Sequence, residues 1–326
     1  MSGAPAELAG DRIRVQIEAA VCAEPELAAL AASASRASAS AASPATEVVE
    51  PGGAAVGRVV DAGEGAAHMR GRRVVVGPID PCGECERCRR GLPFACGEGR
   101  ALGVSAPGAL AGEVTVRARW ATELGGGLDV AGPLAALLAR EAADAYALHA
   151  RCGLAAGEPA VVLGRGPVAR LAAQIAAARG ARVVAGSAGD ATTIERVTAH
   201  LAEHAGGGRP IKIIAAAGGA DAGDDDELGL ALRLARPGAL VAVLARSPVP
   251  SPDGRDVAAL VAGGGALVGV PGAHPDLVPE VAALAVKGEI DLAAAAEVRA
   301  AIADPTALAA AARAALATGR ALVVTR

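Results

Sequence analysis

The stretch PAVVLGRGPVARLAAQIAAARGARVVAG, residues 159–186, decides the fold of this chain. Its apolar start predicts a buried strand, and a glycine turn, a helix and a second strand follow. Gly164 permits a tight turn, Gly166 lets the backbone approach a pyrophosphate, and the small Ala169 lets the helix pack on the strand. Because a helix N-terminus attracts phosphate, the pattern predicts a dinucleotide site. A strand–helix turn without a ligand is the alternative.

The end of the second strand bears on which dinucleotide binds. An acidic residue commonly stands there to hold the adenosine ribose, but this chain has Ser187, with Asp190 three residues later. Arg196 is the nearest basic residue downstream. NAD(H) and NADP(H) therefore both remain open. The predicted cofactor contacts are Gly164, Gly166, Pro167, Val168, Ala169 and Ser187.

The segments before and after this stretch differ in their predicted secondary structure. Residues 1–129 contain short alternating segments and many turns, which indicate a β-rich region. From residue 130 apolar runs alternate with helical stretches, for which we predict helices over 133–151, 226–235 and 275–287. Strands alternating with helices predict a parallel sheet of βαβ units. The low-complexity segment 28–45 is compatible with a helix or a loop.

Four of the six cysteines form a cluster with metal-ligand spacing. Cys82, Cys85, Cys88 and Cys96 stand as C-x2-C-x2-C-x7-C. Four thiolates satisfy a tetrahedral Zn²⁺ and leave no open position, so the spacing predicts one structural zinc per chain. An iron–sulfur cluster is the competing interpretation, although no proline follows Cys96. Four unmetallated thiols are the remaining alternative.

Composition narrows the class of function. The 326 residues are 52% hydrophobic with a net charge of −4, and charges of both signs are mixed along the chain. No basic stripe indicates nucleic acid or an anionic membrane, and no signal peptide or membrane span is apparent. We therefore expect a cytoplasmic protein that acts on a small molecule. With 1% aromatic residues, recognition by ring stacking is nearly excluded.

Several segments together resemble one family. They are AAVC (19–22), VGRVVDAGEG (56–65), GRRVVVGPIDPCGECERCRRGLPFAC (71–96), VLGRGPVA (162–169) and ALVVTR (321–326). With these the chain resembles the zinc-containing medium-chain dehydrogenase/reductase superfamily, whose type members are alcohol dehydrogenases. GEGAAHMRGRRVVV (63–76) and GVPGAHPDLVPEVAALAVKGEIDL (269–292) resemble its 6-hydroxycyclohexenecarbonyl-CoA dehydrogenase branch.

The resemblance implies a domain plan and an assembly. The fold class is α/β, with a GroES-like β-rich catalytic domain over 1–129 that carries the zinc lobe 82–96. A Rossmann dinucleotide-binding domain spans 130–288, and 289–326 returns to the catalytic domain. The active site would lie in the cleft between the domains. The resemblance also implies a homodimer or homotetramer.

The catalytic zinc ligands of the family are not retained. Cys22 matches the first ligand, but Gly53 and Ala54 stand where the family has the His and Glu of a Gly-His-Glu motif. The third ligand is expected near residue 140, where Arg140 precedes Glu141. One thiolate cannot hold a catalytic Zn²⁺. The resemblance therefore predicts a dehydrogenase/reductase without a catalytic zinc.

Three hypotheses of function follow. The first is NAD(P)H-dependent reduction of an activated C=C bond in an enoyl thioester such as an acyl-CoA, because an enolate can be held without a metal. Its candidate catalytic residues are Tyr146, Cys22 and Asp144. The alternatives are that Tyr146 is a core residue, that Cys22 is a buried remnant thiol and that Asp144 is a solvated surface acid. The second is a zinc-dependent alcohol dehydrogenase with displaced ligands, for example Cys22, Glu50 and Glu141. The third is a non-catalytic member of the fold.

Overall fold

The computed structural model describes residues 8, 10–23, 26–27, 50–204, 211–217, 226–245, 251–272 and 275–326. The low-complexity segment 28–45 lies outside these ranges, so its helix-or-loop alternative is not addressed. Within the described ranges, no helix has both the length and the apolar composition needed to cross a lipid bilayer.

The N-terminal sheet has seven strands and includes both ends of the chain. β1 is its longest strand, and its alternating burial points Ile13, Val15 and Ile17 to the core. β14 pairs antiparallel with β1, so the last described strand joins the sheet that β1 begins. The strands are β1 (Arg12–Cys22), β2 (Ala54–Ala62), β3 (Arg73–Val76), β6 (Glu113–Arg117), β7 (Ala121–Glu123), β13 (Ala296–Arg299) and β14 (Ala321–Thr325).

A small lobe projects between β3 and β6. It consists of a two-stranded sheet, β4 (Ile79–Asp80) and β5 (Arg100–Ala101), with the short helix α1 (Glu86–Arg89) between them. The four clustered cysteines belong to this lobe.

The second sheet has five parallel strands in the order β12-β11-β10-β8-β9, which confirms the predicted βαβ architecture. Its strands are β8 (Pro159–Leu163), β9 (Arg182–Gly186), β10 (Lys212–Ala217), β11 (Leu240–Ala245) and β12 (Ala266–Gly269). The longer helices are α2 (Glu141–Cys152), α3 (Pro167–Ala178), α4 (Thr193–His204), α5 (Glu227–Leu234), α6 (Gly254–Ala262), α7 (Val278–Val286) and α8 (Pro305–Ala317).

The helix predicted over 133–151 is two elements. A 3-10 helix spans Pro133–Ala139, and α2 begins at Glu141. The backbone of Arg140 between them is not helical, with φ −140° and ψ −76°. The single-helix prediction is wrong because the chain breaks where the Arg140 side chain is buried. The helix predicted over 275–287 is likewise split into a 3-10 turn over Pro275–Leu277 and α7.

One hydrophobic cluster connects the two sheets. Val21 of β1, Leu138 of the 3-10 helix, Leu148 of α2 and Val162 of β8 all belong to it, and each is at most 1% exposed. Its members are mainly Ala, Val and Leu. The scarcity of aromatic residues is therefore met by small side chains, which let helices and sheets approach closely.

Candidate functional site

The cysteine lobe has the geometry of a closed metal site. The Sγ atoms lie 3.9 Å apart for Cys82 and Cys88, 3.9 Å for Cys85 and Cys96, and 3.5 Å for Cys82 and Cys96. Four sulfurs about 2.3 Å from a tetrahedral Zn²⁺ would lie about 3.8 Å apart. The four residues thus fit zinc with all four positions taken by protein, which suits a structural site.

Backbone donors favour thiolate at one ligand. The N–H groups of Glu84 and Cys85 lower the pKa of Cys82 to about 6. Burial and the neighbouring thiols raise the pKa of Cys88 to about 12. A first thiolate therefore forms readily, whereas complete ionisation of the cluster needs a bound cation.

The glycine turn between β8 and α3 has the predicted shape. Gly164 has φ +138°, and a Cβ there would lie 2.8 Å from the carbonyl oxygen of Ala216 and 2.9 Å from Cβ of Ala169. Gly166 caps α3, and a Cβ added to it would meet nothing within 4 Å. The first glycine is thus required by the fold, while the space above the second is open. The cofactor contacts themselves stay predictions.

A groove of about 450 Å³ lies beside this turn. Arg165 Nε donates to Ser187 Oγ over 3.1 Å at one wall. Asp190 accepts from the Thr192 N–H and pairs with Arg196 at 3.3 Å, and these contacts lower its pKa. A phosphate and a ribose hydroxyl would both find partners here. The lining includes Gly164, Arg165, Gly186, Ser187, Asp190 and Thr318.

A second group of functional interest lies where β1 ends. Cys22 is fully buried, and the N–H of Gly53 donates to the carbonyl of Val21 over 3.2 Å, which places Gly53 beside it. Arg140 Nη1 donates to Glu26 Oε1 over 2.7 Å. Glu26 is 1% exposed and Arg140 4%, so the ion pair is buried. Burial raises the pKa of Cys22 to about 12, with a further rise from Glu26, so the thiol is neutral.

These residues do not fit a catalytic zinc. A Cβ at Gly53 would overlap Glu26 Oε1 and lie 2.8 Å from Arg140 Nη1, so a histidine cannot stand there beside the pair. Among the described residues, Cys22, Glu50 and Glu141 do not form a group whose ligand atoms all lie within 4.8 Å of one another. Among the residues that the structure describes, the four lobe cysteines are the only group that could hold a metal.

The remaining predicted residues have other contacts. The Tyr146 hydroxyl accepts from Arg179 Nη2 over 2.9 Å, and the Arg179 guanidinium lies 5.4 Å from the ring centre. Arg179 follows the last residue of α3, at the end opposite the glycine turn. Asp144 is buried in the first turn of α2 and faces Gly272. The catalytic roles of Tyr146, Cys22 and Asp144 stay predictions.

The sequence reasoning missed Glu26. The sequence shows Arg140 only as a residue that cannot replace the third ligand, and no motif singles out Glu26. The available signal was Gly53, since a glycine in place of a bulky ligand leaves volume that another side chain must fill.

This combination of a mixed sheet bearing a zinc lobe and a five-stranded parallel sheet with a glycine turn defines a GroES-like domain joined to a Rossmann domain. Residues 10–126 match the family model of the alcohol dehydrogenase GroES-like domain. Over residues 10–126 this match agrees with the predicted resemblance to the zinc-containing medium-chain dehydrogenase/reductase superfamily.

Individual relatives support this assignment. The chain is 38% identical over 136 residues to 2-dehydro-3-deoxy-L-galactonate 5-dehydrogenase of Pseudoalteromonas atlantica, covering 41% of this chain and 39% of the relative. L-galactonate-5-dehydrogenase of Escherichia coli is 32% identical over 129 residues, covering 39% and 37%. The similarity to these curated relatives thus spans about two fifths of their length. Galactitol-1-phosphate dehydrogenase of Escherichia coli superimposes with a TM-score of 0.76 at 18% identity, covering 100% of this chain and 96% of that structure.

The leading functional prediction is wrong. These relatives are named as dehydrogenases of galactonates and of a sugar-alcohol phosphate, and they give no support to reduction of an enoyl thioester or to a CoA substrate. The alternative of an alcohol dehydrogenase agrees with them better. The error came from inferring the reaction from the missing catalytic ligands alone.

Proposed function

We propose that this chain is an NAD(P)-dependent dehydrogenase that interconverts a secondary hydroxyl group and a ketone on a polyhydroxylated acid or sugar alcohol. The observation that carries the proposal is the groove beside the Gly164 turn, in a Rossmann sheet joined to a GroES-like domain. The substrate class is supported by the names of the relatives.

The residues of the chain have distinct parts in this reaction. A dinucleotide held by these residues would supply the hydride acceptor for oxidation of a carbinol carbon, with the hydroxyl proton released to solvent. Gly166 leaves room for a pyrophosphate at the N-terminus of α3, where backbone N–H groups attract it. Arg165, Ser187 and Asp190 line the region that would hold the adenosine end.

Zinc has a structural part in this proposal. One Zn²⁺ bound by the four cysteines would fold the lobe between β4 and β5. Assembly as a homodimer or homotetramer and a cytoplasmic location stay predictions, and light scattering of the purified protein decides the first.

The test is a substrate panel with NAD⁺ and NADP⁺. L-galactonate and galactitol 1-phosphate serve as hydroxyl substrates, a short enoyl-CoA with NADPH serves as the negative control, and the reduced nicotinamide is followed by its absorbance. We expect turnover of a hydroxyl substrate that Gly166→Val abolishes. Tight dinucleotide binding without turnover of any hydroxy or keto compound would contradict the proposal and favour the non-catalytic alternative.

A further inference from the structure

The positions that the superfamily uses for its catalytic metal converge in this chain without forming a metal site. Cys22 ends β1, Gly53 lies beside it through its hydrogen bond to Val21, and Arg140 reaches the same place from the break before α2. We infer that the Glu26–Arg140 ion pair fills the place of the catalytic metal and closes it to metal ions.

The first argument is volume. The Glu26 carboxylate and the Arg140 guanidinium lie where a side chain at position 53 would project, so only glycine is compatible with the pair. A Cβ at Gly103 would also lie 2.8 Å from Cγ of Glu26, so a second glycine accommodates the same side chain. Two glycines and an ion pair thus form one packed unit, in which a ligand histidine has no space.

The second argument is charge. The Arg140 guanidinium already serves two buried carboxylates, Glu26 at 2.7 Å and Glu141 at 3.8 Å, and the Cys22 thiol beside them is buried and neutral. A divalent cation placed here would face a buried guanidinium and would have to ionise the thiol. Because buried charges are stable only when compensated, the pair opposes a cation in this place.

The third argument is fixation of the pair. Glu26 Oε2 accepts the Ala23 N–H over 3.0 Å while its other oxygen accepts Arg140 Nη1 over 2.7 Å. Arg140 Nε also lies 3.8 Å from the Glu141 carboxylate. Both charged groups are therefore held in place by the backbone or by neighbouring side chains, so the pair occupies a fixed position.

Metal counting tests this inference without any use of turnover, so the inference and the proposed dehydrogenase activity can fail separately. The purified wild-type chain should hold one zinc by inductively coupled plasma mass spectrometry, and excess Co²⁺ should add no second ion. The variant Glu26→Ala/Gly53→His/Arg140→Glu removes the pair and supplies a histidine and a carboxylate beside Cys22. We expect it to gain a second metal, with a Co²⁺–thiolate absorption band that Cys22→Ser removes.

Gly53→His alone is the matched control, and it should gain no metal because the pair still occupies the space. A second metal in the wild-type chain, or in the Gly53→His variant, would overturn the inference. So would a folded triple variant, with lobe zinc retained, that still holds one ion. Should the triple variant not fold, the wild-type stoichiometry and Co²⁺ titration decide by themselves.

Discussion

Among single residues, Glu26 and Arg140 depend on one another most strongly. Removing one partner of a buried ion pair costs up to about 3–5 kcal/mol, and without Glu26 the Arg140 guanidinium keeps only its 3.8 Å contact with Glu141. We therefore expect Glu26→Gln to lower the free energy of unfolding by that amount in urea titrations. Glu123→Gln is the matched control, since Glu123 pairs with Arg72 at 3.1 Å where both are exposed. Its cost should stay below about 1 kcal/mol, and equal costs for the two variants would contradict a buried pair.

The buried thiols predict a decline of stability at alkaline pH. Burial raises the pKa of Cys22 and Cys152 to about 12, above the ordinary value of 9.0 that applies in the unfolded chain. The contribution of these groups is therefore complete below about pH 9 and is lost as the pH rises toward about 12.

Each thiol should contribute up to about 1.4 kcal/mol of lost stability per pH unit in this window. Cys22→Ala should make the decline shallower than in the wild-type chain when unfolding is followed in urea at several alkaline pH values. Parallel curves for the two proteins would show that Cys22 ionises as freely in the folded chain as in the unfolded one.

The sequence predicts those residues whose role is local. Gly164 and Ala169 are five residues apart, and the four cysteines lie within one short lobe, so spacing alone indicates their geometry. Glu26 and Arg140 are separated by 114 positions and meet only through the packing of β1 against the segment before α2. No spacing rule connects two such residues. The sequence therefore shows that the metal ligands are missing, but it does not show that an ion pair lies in their place.

At the scale of elements, the two glycines of the strand–turn–helix unit have different roles: Gly164 is needed for the fold, and Gly166 is predicted to be needed for dinucleotide binding. Gly166→Val places its side chain in open space, so the variant should keep the wild-type melting temperature. It should lose dinucleotide binding, because the side chain takes the space of the pyrophosphate. Isothermal titration with NADH and NADPH measures the loss.

Gly164→Ala is the contrasting variant in the same turn. Its Cβ would press on the Ala216 carbonyl and on Ala169, and φ of +138° is unfavourable for any side chain, so it should lower stability by about 1–3 kcal/mol. If Gly166→Val bound dinucleotide with wild-type affinity, the turn would not be the cofactor site.

The zinc lobe gives a second prediction for an element. Cys96→Ser removes one of four ligands, so the lobe should lose its zinc and become sensitive to protease, because metal binding supplies folding energy. Glu98→Gln changes a neighbouring residue that has no thiol and should keep the metal. Zinc analysis and limited proteolysis of both variants distinguish them. Retention of zinc by Cys96→Ser would show that the four thiols are not one site.

The segment 133–151 shows what hydrophobic periodicity cannot predict, namely the break between the 3-10 helix and α2. Residues 135–139 are all buried, so no polar face distinguishes a 3-10 helix from an α-helix there. The break at Arg140 follows from a tertiary contact, and apolar periodicity does not report such contacts. The parallel sheet, by contrast, was predictable because each strand is a short apolar run bounded by turns.

For the whole molecule, α3 beside the parallel sheet contacts the α8–β14 turn of the seven-stranded sheet at the groove next to Gly164. Arg170 of α3 donates to the carbonyl oxygens of Thr318 (3.3 Å) and Gly319 (3.4 Å), and this turn forms one side of the groove. Arg170→Gln should weaken dinucleotide binding about tenfold, since hydrogen bonds to a charged group contribute about 1.5 kcal/mol.

Gln174→Ala is the control for this interdomain prediction. Gln174 exchanges hydrogen bonds with the backbone of Asp291, also across the domains, but it does not line the groove. Its dissociation constant for NADH should stay within about twofold of wild type. A matched weakening in both variants would instead indicate that any loosening of the domain contact affects the cofactor.

The interlocked residues at positions 26, 53 and 140 also constrain how this chain could change over generations. Gly53→His on its own collides with the pair, Arg140→Glu adds a carboxylate to the buried Glu26 and Glu141, and Glu26→Ala removes the 2.7 Å partner of a buried guanidinium. Each of these single substitutions, taken as a first step toward a metal-binding site, thus lowers the stability of the protein. The mutations are epistatic, and selection for folding alone would hold a lineage in the metal-free state whether or not its activity were still under selection.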